Sequence, residues 1–92
     1  MIPRDPLRAF LEALQAERGA AANTLAAYAR DLQDLAEFAG SGWPQADRGT
    51  LEAWLSDLEA RGLGQATRAR RLSAARQFYR FALSEGWRED DP

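Results

Sequence analysis

Apolar residues recur along the chain at three- and four-residue steps, and Gly and Pro punctuate the pattern. Leu7, Phe10, Leu11 and Leu14 fall at i, i+3, i+4 and i+7, which is one face of a helix. Pro6 suits its first turn, and Gly19 stops it near Arg18. A second helix is predicted from Asn23-Thr24, both able to cap it. Its buried stripe is Leu25, Tyr28, Leu32, Leu35, Ala36 and Ala39, with Arg30, Asp34 and Glu37 on the opposite face. Gly40-Ser41-Gly42 and Trp43-Pro44 end it. Asp47 is the expected cap of a third helix carrying Leu51, Trp54, Leu55 and Leu58, and Gly62 and Gly64 mark the turn after it. The fourth and longest helix runs from about Gln65 to Glu85, with Leu72, Ala75, Tyr79, Ala82 and Leu83 as its stripe and Gly86 as its stop. Short connections predict that sequential helices pack as neighbours in an all-α four-helix bundle.

Composition supports that class and removes others. Val is absent and Ile2 is the only Ile, so there is little material for a sheet. The chain has no Cys and no His, which excludes disulfides and thiolate sites and removes the commonest zinc ligand and general base. No metal, cofactor or small-molecule substrate is expected. No apolar run approaches the ~20 residues a membrane span needs, and Met1 to Pro6 has no secretory h-region. A cytoplasmic protein without a membrane partner is the expectation. Residues 1–88 read as one domain, and the acidic Glu89-Asp90-Asp91-Pro92 as the start of a linker to an absent further domain.

Charge is where the chain departs from an ordinary bundle. The net charge is −2, and all 12 basic residues are Arg. Six of them (Arg61, Arg68, Arg70, Arg71, Arg76, Arg80) lie between Arg61 and Ser84, a stretch with no acid. That stretch carries +6 and the remainder −8, the footprint of an anion-facing surface. At ~100° per residue, Arg68 and Arg71 share the arc of Leu72, Ala75 and Tyr79, so the apolar stripe turns into arginine. A fourth helix whose leading turns stand clear of the bundle would explain this, with Arg70 pointing in a further direction. Gln65 and Thr67 can bond phosphates or base edges, and a helix N-terminus favours anions. If the start of the second helix lies beside this arginine end, Asn23 and Thr24 reach a phosphate as well. Tyr28 and Tyr79 read as core, and Phe81, nearly opposite Leu72, reads as packing on another helix or on a partner domain.

Two runs then carry a resemblance. Glu17-Arg18-Gly19-Ala20-Ala21-Ala22-Asn23-Thr24-Leu25-Ala26-Ala27-Tyr28-Ala29-Arg30-Asp31-Leu32 resembles a signature of tyrosine site-specific recombinases. Thr67-Arg68-Ala69-Arg70-Arg71-Leu72-Ser73-Ala74-Ala75-Arg76-Gln77-Phe78-Tyr79-Arg80-Phe81 resembles a second, in the right order and spacing. Glu85-Gly86 and Asp91-Pro92 resemble the family's exit toward its catalytic domain. The chain is most similar to the XerC/XerD and phage-integrase type, with Ala22 and Ala29 standing where many relatives carry Ser and a second basic residue. The resemblance implies an N-terminal core-binding, SAM-like bundle that clamps duplex DNA at a recombination site beside other recombinase protomers. It implies Asn23, Thr24 and Arg30 on the second helix and Thr67, Arg68, Arg71 and Arg76 on the fourth as DNA contacts; charge alone adds Arg70. Catalysis in that family belongs to a separate domain, so this chain is not expected to be an enzyme, whereas the full-length protein would break and rejoin DNA in integration or chromosome partition. The reading from a different class is a protein-interaction bundle whose Arg-rich face meets an acidic partner.

Overall fold

In the first helix, α1 (Pro6–Arg18), capping and sequence agree closely. The Asp5 carboxylate accepts the Arg8 backbone N–H at 3.0 Å, and Pro6 opens the first turn, where a missing N–H costs nothing. Gly19 ends it at φ 59°, a left-handed conformation that a Cβ would strain. Three further helices follow: α2 (Ala22–Ala39), α3 (Arg48–Ala60) and α4 (Gln65–Ser84), with a single 3₁₀ turn at Trp43–Gln45 between α2 and α3. This computed structural model describes residues 2–92, so the first residue of the expected 1–88 domain lies outside it. Among the described residues there is no strand, and the fold is the all-α four-helix bundle expected.

The first three helices bury the stripes their spacing predicts, whereas on α4 Ala75, Tyr79 and Ala82 are buried as expected, Leu72 is half-buried, Leu83 is 38% exposed, and Ala74 and Phe78 enter the core instead. Phe10 and Leu14 of α1, Leu32 and Leu35 of α2, Leu51, Trp54 and Leu58 of α3, and Ala74, Ala75, Phe78, Tyr79 and Ala82 of α4 form one core. Leu7, Leu11, Leu25, Tyr28, Ala36, Ala39 and Leu55 pack against its margin. The Cα radius of gyration is 12.7 Å, close to the ~12 Å of a fully compacted chain this long. Sequential helices do touch, and the most extensive contact is the non-sequential one between α2 and α4.

Aromatic rings lock the end of the bundle where α4 finishes. Phe78 meets Phe10 edge-on at 5.6 Å and lies 4.3 Å from the Trp43 ring. Phe81 packs on α1 through Phe10 and on Trp87 at 5.1 Å, so its helix partner is within this chain. The Tyr79 hydroxyl, wholly buried, donates to the Trp43 carbonyl at 2.6 Å. Trp87 and Arg88 are also buried: Arg88 donates to the Pro44 carbonyl and to Asp90, and its guanidinium lies 4.9 Å from the centre of the Tyr79 ring. Residues 89–91, the expected linker start, are exposed.

Candidate nucleic-acid interface

Contacts between α2 and α4 show that they run antiparallel. Gln77 Nε2 donates to the Tyr28 hydroxyl at 2.9 Å, whereas Arg70, two turns earlier on α4, meets Asp31, one turn later on α2. The start of α2 therefore stands beside the middle of α4 and the end of α1, where Arg18 Nη1 donates to Gln77 Oε1 at 3.1 Å. The condition under which Asn23 and Thr24 would lie beside the arginine end of α4 is therefore not met. Their capping role is corrected: α2 starts one residue earlier, its cap is Ala21 at φ −67° and ψ 152°, and no side chain bonds the free N–H groups. Asn23 and Thr24 are instead exposed in the first turn. The α4 N-terminus is likewise open, with Gly64 at the cap position, whereas Asp5 and Asp47 close α1 and α3. Two helices thus keep bare N–H groups and uncompensated positive ends.

The leading turns of α4 are not held clear of the bundle. Arg71 sits in the middle of the buried arc, on the same side as Phe78 and Ala82, and its side chain is only 17% exposed. It reaches Asp34 at 3.0 Å and Asp31 at 3.5 Å. Arg70 forks Asp31 through Nε (3.1 Å) and Nη2 (2.8 Å). Arg61 forks Asp34 at 3.0 and 2.7 Å and also meets Asp57 at 3.0 Å. Trp54 Nε1 donates a further hydrogen bond to Asp34 at 2.8 Å. Arg68, half-buried, donates to the Leu63 carbonyl at 2.8 Å, capping the turn before its own helix. What replaces the apolar stripe is an arginine–carboxylate cluster joining α2, α3 and α4.

Its physical origin is visible on α2. Asp31 is fully buried and Asp34 faces inward, so Asp34 does not belong to the solvent face assigned from the helical pattern. Buried carboxylates need partners, and the arginines of α4 and the α3–α4 turn supply them. The hydrogen bonds from Arg61 chiefly hold the Asp34 carboxyl below its ordinary value of 3.8, against the opposing effect of burial. Asp34 in turn raises the Arg61 guanidinium, and Asp31 raises that of Arg70. Three of the six positive charges between Arg61 and Ser84 are thereby met by carboxylates from the same chain.

The remaining positive charge lies elsewhere on α4. Gln65, Ala69, Ser73, Arg76 and Arg80 follow one exposed face, and neither Arg76 nor Arg80 makes an ion pair among the described residues. With Arg18 and Gln77 they line one shallow open groove. Arg18 and Arg80 were not among the expected contacts; Arg80, one turn after Arg76 on an exposed arc, could have been found from spacing alone. Arg30 is exposed on the outer face of α2, two turns after Asn23 and likewise without an ion pair. Thr67 is half-buried near the α4 start and makes no side-chain hydrogen bond. The structure thus brings Arg76 to one surface with Arg18 and Arg80, ties Arg70 and Arg71 to Asp31, and leaves Thr24 and Arg30 exposed on α2.

Burial pushes the Tyr79 hydroxyl far above its usual range, and the Tyr28 hydroxyl accepts a hydrogen bond from Gln77. Among the described residues no three His, Cys, Asp or Glu side chains gather as a metal site. Among the described residues no helix is long and apolar enough to cross a membrane.

Residues 7–86 match the family described as "Phage integrase, N-terminal SAM-like domain". The chain is 58% identical over 87 residues to the tyrosine recombinase XerD of Caulobacter vibrioides, covering 91% of this chain and 28% of that protein. It is 53% identical to the XerD of Agrobacterium fabrum and 51% to that of Rhizobium meliloti, in each case over 89 residues and 94% of this chain. Those two alignments cover 27% and 29% of the relatives, so the chain spans less than a third of the proteins it matches. No solved structure gives a significant match. With the matched region running from the first turn of α1 to the glycine after α4, the chain belongs to the phage-integrase N-terminal SAM-like domain family.

Proposed function

We propose that this domain is the DNA-binding N-terminal module of a cytoplasmic tyrosine site-specific recombinase, gripping duplex DNA at the recombination site beside other protomers. The observation that carries the reading is the antiparallel α2–α4 pair with both N-termini uncapped. About 18 Å of α4 separates its N-terminus from Gln77, which touches α2 in its second turn. Two anion-favouring helix ends so far apart, with Arg76 and Arg80 exposed between them, suit a polyanion with spaced phosphates better than one small anion. The contacts proposed are the open turn at Asn23 and Thr24, Thr67 near the α4 start, and Arg18, Arg30, Arg76 and Arg80 at phosphates. Arg70 adds a partly exposed guanidinium at the edge of the α2–α4 seam. Arg68 and Arg71 support the surface from beneath it, since a backbone carbonyl and two carboxylates hold them.

Strand breakage and rejoining would be the work of the full-length recombinase, to which this module supplies grip and register. Titration of labelled duplex DNA and of labelled poly-glutamate at low salt tests the reading. Binding to the duplex, weakened at least tenfold by Arg76→Glu with Arg80→Glu, is the expected result. Equal binding of poly-glutamate, or indifference to that double substitution, would instead favour an acidic protein partner.

A further inference from the structure

We infer that Arg70 reads the major-groove edge of a guanine and that the buried carboxylate of Asp31 is its positioning residue. This rests on the DNA-binding reading above and extends it from grip to sequence preference. A surface arginine ordinarily samples many rotamers, but Arg70 is held in one. Its Nε and Nη2 bond the two oxygens of Asp31 at 3.1 and 2.8 Å, and that carboxylate is fully buried and further fixed by Arg71 at 3.5 Å. The Arg70 side chain nonetheless remains 44% exposed. Arg71, which shares the same carboxylate, is inserted into the bundle at 17% exposed and completes its contacts on Asp34. Two arginines meet one buried acid, and only one of them keeps a face toward solvent.

The chemistry of the unused edge selects the ligand. With Nε and one side of Nη2 on Asp31, the guanidinium presents Nη1 and the other side of Nη2 as parallel donors, without a partner among the described residues. Two parallel donors match the paired acceptors O6 and N7 of guanine. Adenine offers an acceptor beside a donor, and cytosine a donor, so neither accepts both. The flanking side chains do not obstruct approach: Ala66 and Ala69, beside Arg70 on α4, are exposed and small. A phosphate would also accept this fork, but it would not discriminate between bases, and that difference is the basis of the test. Preorientation by Asp31 removes the ordering of a long side chain from the cost of recognition.

The experiment selects duplexes from a randomised library with the 92-residue chain at low salt, then replaces single guanines of the enriched duplex by 7-deazaguanine, which lacks N7. The wild-type chain is expected to enrich a sequence in which one guanine is sensitive, with affinity falling roughly tenfold on replacement. Arg70→Lys is expected to lose about tenfold on that duplex and less than threefold on a scrambled one, abolishing the preference. Asp31→Asn, with folding verified by circular dichroism, is expected to keep the preferred base and reduce the discrimination ratio. A wild-type chain that retains duplex but is insensitive at every guanine would overturn the proposal without recourse to any variant. So would equal losses on both duplexes for Arg70→Lys, marking a phosphate contact, or a change in thermal stability alone, marking a purely structural pair. Failure of the wild-type chain to retain any duplex would overturn the DNA-binding reading itself.

Discussion

Arg71 and Arg76 lie five residues apart on one helix and have opposite roles. The Arg71 side chain is 17% exposed against Asp31 and Asp34; its loss takes one partner from each acid while Arg70 and Arg61 remain on them, at a cost of about 1–3 kcal/mol. For a domain with about 5–14 kcal/mol to lose, Arg71→Ala should lower Tm by about 5 °C or more. Arg76 makes no ion pair and is exposed, so Arg76→Ala should change stability by less than about 0.5 kcal/mol while weakening DNA binding; differential scanning calorimetry and anisotropy separate the two. Tyr79→Phe should cost about 0.5–1.5 kcal/mol, because the Trp43 carbonyl loses the hydroxyl and keeps only the Ala46 N–H. What the sequence hid at this scale was which arginines are free. Helical phase correctly grouped Arg71 with Leu72 and Ala75, but nothing local showed that Asp31 and Asp34, nearly forty residues earlier, would fold opposite it. Asp34 in particular sits at the edge of the polar arc of α2, where spacing alone does not reveal an arginine and a tryptophan waiting across the interface.

At the scale of the helices, the sequence was legible wherever a local signal decided the outcome. Pro6, Gly19 and Asp47 are short-range chemistry, and the boundaries they set agree with the structure, which adds Asp5 as the cap of α1. The start of α2 was less legible because its cap is made by backbone alone, and Asn23 and Thr24, the residues with capping chemistry, fall inside the first turn. That vacancy makes a testable compromise between stability and binding. Ala21 already has the extended backbone a cap requires; Ala21→Asp should stabilise α2 by about 1 kcal/mol and, by placing a carboxylate at the proposed phosphate position, weaken duplex binding. Higher Tm together with higher affinity would contradict the assignment. Acid should loosen α2 and α3 as well. Hydrogen bonds from Arg61 and Thr50 hold the Asp34 and Asp47 carboxyls below their ordinary 3.8, so their stabilisation is full above about pH 4 and is lost as pH falls through the lowered values. Urea midpoints measured between pH 7 and pH 2.5 should be level down to about pH 4 and then decline.

For the molecule as a whole, the acidic net charge and the proposed affinity for a polyanion are compatible because charge is sorted in space. Carboxylates neutralise the arginines at the joint of α2, α3 and α4 and stiffen it, while Arg18, Arg30, Arg76 and Arg80 make no ion pairs among the described residues. The domain thus uses one residue type both as internal fastening and as external charge, and the antiparallel α2–α4 contact sets which arginine does which. The most direct measurement is fluorescence anisotropy of a labelled duplex with the 92-residue chain across a series of salt concentrations. Neutralising three to five phosphates predicts that log K falls with log salt at a slope of about −3 to −5, and that Arg76→Ala with Arg80→Ala makes the slope shallower by about 2. A slope near zero, or the same slope in the double variant, would contradict the account.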